Sequence, residues 1–205
     1  MNTINLILHA HQPYVRHLEY EKFLEEDWLY ESLNETYIPL LRMLSKLEDE
    51  KVDFKISLCF SPTLLTMLLD GPLQERFVQY MERHIELGEK EVERTKAEDK
   101  ECHEMAKTYL EETRRNLNVY EAYDRNILTG FKKLSDMGKI ELVSSAATHA
   151  YLPLYKDYPD AINAQIAVGI KTHKKVFGTS PRGFWLPEGG YYPGLDKILR
   201  ANSID

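Results

Sequence analysis

The chain has 205 residues, of which 43% are apolar, 11% aromatic and 29% charged. This composition allows a sizeable buried core and excludes a disordered or fibrous segment. Its 26 Lys and Arg stand against 33 Asp and Glu, a formal net charge of -7. Since no basic stripe is present to neutralise phosphates, we expect no nucleic-acid partner.

The cysteines and the apolar stretches argue against two further classes. Cys59 and Cys102 stand in unlike contexts, and neither belongs to a CxxC or Cys/His cluster, so a structural zinc site or a disulfide framework is not expected. The apolar stretch Ile4 to Ala10 is too short to span a bilayer. We therefore expect a cytoplasmic protein with no membrane partner.

Four short apolar runs predict strands, each followed by a polar or helical stretch. They are Thr3 to His11, Asp53 to Ser61, Ile140 to Ala146 and Gly183 to Pro187. This alternation is typical of an α/β fold with a largely parallel sheet. A closed eight-stranded barrel usually takes roughly 250 residues, so the sequence predicts an incomplete barrel.

Helical periodicity fills the segments between these strands. Ile38, Leu41, Leu44 and Leu47 predict a crossover helix after the first strand. The pattern from Pro72 to Lys139 is helical throughout and indicates a helical hairpin inserted at about 72–139. Two more helices are predicted over Asp160 to Val176 and Leu195 to Ala201. No repeat or linker marks a domain boundary, so residues 1–205 are treated as one portion of a barrel.

A pair of histidines ends the first predicted strand. Because side chains alternate across a strand, His9 and His11 point to the same face. Parallel strands of α/β folds present ligand-binding groups at their carboxyl ends, so both imidazoles are expected to meet a pocket. The alternative is one satisfied structural histidine beside an incidental one, and spacing alone leaves this open.

Two other predicted strands end in similar groups. The segment Ser144 to Pro153 combines small residues with His149, and a simple turn at Pro153 is its plain alternative. In the last predicted strand, Glu188 lies between an apolar run and two glycines, where a loop begins. A solvated surface carboxylate is the alternative there.

Aromatic side chains flank this carboxylate. Trp185 and Tyr191 lie three residues to either side of Glu188. Aromatic faces stack on sugar rings, and imidazoles and carboxylates hydrogen-bond sugar hydroxyls. The combination indicates a carbohydrate ligand.

Three segments resemble the first three conserved regions of glycoside hydrolase family 57, in the family's order. They are the HQP start at 11–13, Ala147 to Leu154, and Trp185 to Glu188. Within that family, Asp27 to Glu31 and Glu35 to Leu41 are most similar to the 1,4-α-glucan branching enzymes. The resemblance covers essentially the whole chain.

This resemblance implies a (β/α)7-barrel catalytic domain that acts on α-1,4-glucans by a retaining mechanism, without metal or other cofactor. Glu188 matches the catalytic nucleophile. His9, His11 and His149 match substrate-subsite residues, and Trp28 matches an aromatic that lines the glucan groove.

The second catalytic carboxylate has no match in this sequence. Family 57 takes its acid/base, an Asp, from a fourth conserved region beyond the third. We therefore expect the N-terminal portion of a branching enzyme that carries half of the catalytic pair and is inactive alone. Hydrolysis, 4-α-glucan transfer and branching share the first three regions, so specificity stays open.

Two alternatives belong to other classes. A glucan-binding or assembly fragment would pair with a separate chain that supplies the rest of the barrel, or would self-associate, because unpaired strand edges invite association. A metal-dependent polysaccharide deacetylase would use paired histidines and a carboxylate as zinc ligands. Gln12 and Pro13 stand where such a site usually wants an Asp.

Overall fold

The computed structural model describes residues 4–97 and 99–204, and they form two compact units. The first unit takes the chain up to Tyr14, Glu48–Leu68 and the chain from Phe131 onwards. The second takes Val15–Leu47 and Leu69–Gly130. Each unit has its own buried core, and each is described in turn.

A four-stranded parallel sheet forms the first unit. Its strands lie in the order β1 to β4 and are Ile7–Ala10, Ile56–Phe60, Ile140–Ser145 and Phe184–Trp185. All but one residue of β3 are buried, as expected for a parallel strand covered on both faces. The sheet is curled into a half-barrel, and the predicted incomplete (β/α) barrel with parallel strands is confirmed.

Helices cover this sheet. They are α3 (Pro62–Leu68), α6 (Leu128–Asp136), α7 (Pro159–Phe177) and α8 (Leu195–Ala201). Helix α7 ends at Gly178, whose positive φ of 79° suits a residue without a Cβ. It also approaches β3 closely, because a Cβ built on Gly169 would lie 2.1 Å from the carbonyl oxygen of Ser145.

Helices alone build the second unit. They are α1 (Leu24–Ser32), α2 (Ile38–Asp49, which continues past the unit boundary), α4 (Gly71–Thr95) and α5 (Lys100–Ala122), and α4 and α5 form the predicted inserted hairpin. The core of this unit includes Phe77 and Tyr120, whose rings meet edge to face with their centroids 4.7 Å apart. The side chain of Asp70 caps α4 by accepting a hydrogen bond from the Leu73 amide.

A buried ion pair anchors α1 to α4 in this unit. The Arg76 guanidinium lies 2.7 Å from the Glu26 carboxylate, and the Tyr30 hydroxyl donates to the same carboxylate at 3.0 Å. Glu26 is only 2% exposed. Because every oxygen of this buried charge has a partner, the network fixes the position of α1.

The structure refines several predicted bounds. The first strand begins at Ile7, and Thr3 lies outside the described residues. The predicted crossover helix over Ile38 to Leu47 is α2, and a π-helical turn at Leu33–Tyr37 precedes it. The bounds predicted for the domain, 1–205 with an insertion at about 72–139, stay a prediction. Within the described part of the chain, no helix is long and apolar enough to cross a membrane.

Candidate functional site

Five of the candidate residues lie together at the carboxyl ends of the strands in the first unit. His9 is in β1, and His11 follows its last residue. Trp185 ends β4, and Glu188 follows in a short 3-10 turn. His149 comes four residues after the end of β3.

The three imidazoles stack on one another and on an indole. The rings of His11 and His149 have centroids 3.8 Å apart and planes inclined by 11°. His9 lies between His149, at 4.9 Å, and Trp185, at 5.1 Å. The Nε2 atoms of His9 and His149 are 2.8 Å apart and share a hydrogen bond. The strand-end geometry therefore gathers side chains that are up to 176 positions apart in the sequence, from His9 to Trp185.

Glu188 lies beside this stack. Its Oε1 is 3.8 Å from Nδ1 of His149, while the carboxylate side chain is 74% exposed. Both residues have left-handed backbones, with φ of 54° at Glu188 and 56° at His149. Such conformations are unfavourable for residues with a Cβ and concentrate at functional sites. The structure therefore brings this carboxylate close to the imidazole of His149 and leaves the carboxylate itself open to solvent.

The loop that carries Glu188 is held by close packing. A Cβ on Gly190 would lie 2.5 Å from the Tyr151 ring and 2.9 Å from Pro153. Only a residue without a side chain allows this approach. Tyr151 and Pro153 thus support the loop from the segment that also contains His149.

Ser61 and Thr63, which sequence reasoning missed, form a hydrogen-bonded network with Nδ1 of His11. Ser61 is fully buried at the end of β2, and its Oγ lies 2.9 Å from Nδ1 of His11. Thr63 Oγ1 lies 3.0 Å from the same Oγ and donates to the Gln12 carbonyl. The signal available in the sequence was the Ser-Pro-Thr run that begins at Ser61, the last residue of the predicted strand Asp53 to Ser61.

Burial keeps these imidazoles neutral. Desolvation, followed by the neighbouring imidazoles, lowers the pKa of His9 to about 4. Desolvation, with a smaller effect of His149, lowers the pKa of His11 to about 4. Burial also lowers the pKa of His149, against the opposing attraction of Glu188. The stack therefore offers uncharged hydrogen-bonding groups at neutral pH.

We expect the chain to lose stability as the pH falls from about 6.5 to about 4. His173, buried in α7, has a pKa lowered by desolvation from 6.5 to about 4, as His9 and His11 do. The unfolded chain binds protons in this window that the folded chain cannot accept. The stability that these three histidines contribute is therefore full above pH 6.5 and is lost progressively as the pH falls towards 4. For His173, which is 2% exposed, the loss is about 3 kcal/mol.

Urea unfolding at a series of pH values measures this dependence. A His173→Leu variant should show a curve that is flatter by up to one proton, since leucine cannot titrate. A variant curve that parallels the parent curve would show that His173 contributes nothing to the pH dependence.

Two further candidates present aromatic side chains outside the ring contacts of the stack. Tyr191 is 57% exposed, and its hydroxyl lies 3.5 Å from Asp196. Trp28 belongs to α1 of the second unit and is 47% exposed. Both present aromatic surface to solvent, and their roles stay predictions.

A metal centre is not formed by the residues described. Within 4–97 and 99–204, no His, Cys, Asp and Glu side chains form a group of three or more that could hold a metal ion. His9, His11 and His149 lie ring on ring instead. The deacetylase alternative gains no observation in its favour.

The half-barrel thus gathers imidazoles, an indole and a carboxylate at the carboxyl ends of its strands, the edge at which barrel folds place their functional groups. The model of Glycosyl hydrolase family 57 matches residues 5–205, and the chain belongs to that family. The resemblance predicted from the three motifs is confirmed.

The similar proteins and solved structures include two branching enzymes and an alpha-amylase. The chain is 38% identical over 190 residues to the 1,4-alpha-glucan branching enzyme TK1436 of Thermococcus kodakarensis, covering 93% of this chain and 27% of that protein. Among solved structures, the alpha-amylase AmyC of Thermotoga maritima matches with a TM-score of 0.94 and 51% identity, covering 98% of this chain and 38% of that one. A GH57-type branching enzyme of Pyrococcus horikoshii matches with a TM-score of 0.89 and 34% identity, covering 98% and 40%.

The chain thus spans between about a quarter and two fifths of the length of these relatives. The matched region is their N-terminal part.

Proposed function

We propose that Glu188 is the nucleophile of a retaining α-glucan-active enzyme and that the stacked imidazoles bind its sugar substrate. The observation that carries this proposal is the 3.8 Å contact between Glu188 Oε1 and His149 Nδ1 at the carboxyl ends of parallel strands. A carboxylate at this edge of a barrel is where the fold supports catalysis.

The contacts of His149 indicate where the protons of the stack lie. Nδ1 of His149 faces Oε1 of Glu188, which is an acceptor, so the proposal places the proton of His149 on this nitrogen. Nε2 of His149 is then the acceptor for the proton on His9 Nε2. The buried Nδ1 of His9, which has no partner among the described residues, is left as a lone pair, the less costly of its two states.

The proposed reaction has two steps. The Glu188 carboxylate forms a bond to the anomeric carbon, and the bond to the leaving glucan oxygen breaks as an acid protonates that oxygen. In the second step, the group that acted as the acid acts as a base and takes the proton of an acceptor hydroxyl. The oxygen of that hydroxyl bonds to the anomeric carbon and displaces Glu188. This chain supplies the nucleophile, and no residue in it matches the acid/base.

The acceptor decides between branching and hydrolysis. A glucan 6-hydroxyl gives an α-1,6 branch, whereas water gives hydrolysis, so a branching enzyme must exclude water and hold a second chain. We favour branching because of the segments Asp27 to Glu31 and Glu35 to Leu41 and the similarity to TK1436. The similarity to AmyC keeps hydrolysis as the competing outcome. Glycogen biosynthesis and a cytoplasmic location stay predictions.

A second proposed role is assembly with a separate chain. Within the described residues, β1 pairs only with β2, and Leu6 and Ile7 at the start of β1 are 51% and 49% exposed. An unpaired edge with exposed apolar side chains favours the addition of another strand. That strand would come from the remainder of the barrel or from a second copy.

We expect maltoheptaose to perturb the fluorescence of Trp185. The chain has two tryptophans, so Trp28→Phe leaves Trp185 as the reporter and Trp185→Phe leaves Trp28. An indole that stacks on a sugar ring changes its emission on binding. Titration of each single-tryptophan variant followed by fluorescence measures the response at each position.

Cellohexaose serves as the ligand control, since its β-linked chain presents the same sugar with a different curvature. A response of Trp185 to maltoheptaose and not to cellohexaose supports an α-glucan site at the strand ends. The absence of a fluorescence change of Trp185 at millimolar maltoheptaose would contradict the proposed site.

A further inference from the structure

Ser61 occupies a position that serves two elements at once. Its backbone follows β2, and its Oγ accepts a hydrogen bond from the Leu64 amide, which makes it the N-cap of α3. The same Oγ contacts Nδ1 of His11 and Oγ1 of Thr63. All of these groups belong to the first unit, and Ser61 is 0% exposed.

The protons of this network can be assigned by counting. A carbonyl oxygen only accepts, so Thr63 must spend its single hydroxyl proton on the Gln12 carbonyl, 3.1 Å away. The 3.0 Å bond between Thr63 and Ser61 then requires the Ser61 hydroxyl to be the donor. Ser61 has no second proton for His11, so the 2.9 Å contact requires Nδ1 of His11 to donate.

The other tautomer would leave a bond unmade. If Nδ1 of His11 were unprotonated, Ser61 or Thr63, whose Oγ1 lies 3.5 Å from it, would have to donate to it. The network would then lose either the bond between Ser61 and Thr63 or the bond from Thr63 to the Gln12 carbonyl. In a buried network, such a loss disfavours the state by the factor that one ordinary hydrogen bond supplies, about fivefold or more.

We propose that Ser61 and Thr63 are positioning residues that fix His11 as its Nδ1–H tautomer, so that Nε2 presents a lone pair to the site. Within the residues described, no protein group is hydrogen-bonded to this Nε2. A neutral nitrogen with a fixed lone pair accepts a hydrogen bond and cannot donate one. It therefore selects a ligand that offers a hydroxyl at this point.

The identity of that ligand, a glucan hydroxyl, rests on the proposed function, whereas the tautomer does not. Substrate position depends on such bonds, because a site built to accept from a hydroxyl discriminates against analogues that lack it. The imidazoles of His9 and His149 are hydrogen-bonded to each other. His11 is therefore the imidazole of the stack whose tautomer is fixed by side chains outside the stack.

The test reads the ring nitrogens of His11 directly. Two-bond ¹H–¹⁵N correlation spectra of the ¹⁵N-labelled chain at pH 7 distinguish a protonated ring nitrogen from an unprotonated one. We expect the His11 pattern to be that of Nδ1–H. Assignment of the pattern to His11 comes from its disappearance in His11→Gln.

Substitution of Thr63 tests whether its hydrogen bond to Ser61 fixes the tautomer of His11. Thr63→Val keeps the shape of the side chain but removes the acceptor for Ser61, so the Ser61 hydroxyl turns to Nδ1 and His11 should change to Nε2–H by fivefold or more in population. Thr63→Ser keeps the hydroxyl and should keep the parent pattern. An Nε2–H pattern in the parent chain, or an unchanged pattern in a folded Thr63→Val chain, overturns the proposal.

The parent spectrum decides the tautomer even if Thr63→Val does not fold. Titration with maltoheptaose then separates this proposal from the proposed function. If the tautomer is as expected and His11 Nε2 shifts with the glucan, both are supported. A chain with the expected tautomer and no shift supports the positioning of His11 and contradicts the glucan ligand.

Discussion

Amylose incubated with the isolated 205-residue chain should gain no measurable α-1,6 linkages. The chain carries the proposed nucleophile Glu188, but it has no match to the acid/base that assists both steps. The loss of that group alone lowers the rate by roughly 10²- to 10⁴-fold, and a half-barrel also lacks walls that orient the glucan. Debranching of the product followed by chain-length measurement detects the new linkages. Branches formed by the chain alone would require a second carboxylate within these residues.

An activated substrate separates a missing acid from a missing site. Fluoride leaves α-maltotriosyl fluoride without protonation, so Glu188 can bond to the anomeric carbon while the C–F bond breaks and fluoride departs. The next step still needs the absent base, and the glycosyl adduct should therefore accumulate. Mass spectrometry should locate one maltotriosyl unit on the peptide that contains Glu188. Glu188→Gln is the matched control and should remain unlabelled.

Addition of a chain that supplies the remainder of the barrel extends this experiment. If the free edge of β1 accepts such a partner, the mixture should form α-1,6 linkages that neither chain forms alone. With Glu188→Gln in the mixture the branches should again be absent, since the nucleophile has no substitute. Shortened linear chains without branches would instead assign hydrolysis.

Strand ends were the part of the molecule that sequence reasoning located best. His9 and Trp185 belong to the predicted strands that became β1 and β4, and the period of two along a strand makes the direction of their side chains predictable. Parallel pairing then requires these ends to lie at one edge of the sheet. The four strands and the helical hairpin were therefore predictable without any distance information.

The missed features depend on tertiary contacts that no local pattern encodes. The π-helical turn at Leu33–Tyr37 joins α1 directly to α2, and its Asn34 carbonyl accepts from Asn116, 82 positions away. Ser61 looks like an ordinary helix cap in the sequence, and only the 2.9 Å approach of His11 gives it a second role. The left-handed backbone of Glu188 has no signal beyond the glycines that follow it.

We expect Gly169→Ala to lower the free energy of unfolding by roughly 3 kcal/mol, although alanine is the better helix former by about 1 kcal/mol. The new Cβ would lie 2.1 Å from the carbonyl oxygen of Ser145, a backbone atom of β3 that cannot move aside cheaply. Helix α7 would therefore have to shift away from the sheet. Urea unfolding measures the change, and Gly71→Ala, whose Cβ meets nothing within 4 Å, should alter stability by less than about 1 kcal/mol.

The same substitution should reach the site. Gln165, one turn before Gly169 on α7, accepts from the Thr148 amide through its side chain and from the Ala147 amide through its carbonyl. These bonds fix the segment that leads into the left-handed His149. A displaced α7 would loosen that segment, so we expect maltotriosyl labelling of Glu188 to slow in Gly169→Ala under conditions where the variant remains folded. If Gly169→Ala is as stable as the parent chain, β3 moves to accept the new Cβ without cost. In that case α7 does not set the position of His149.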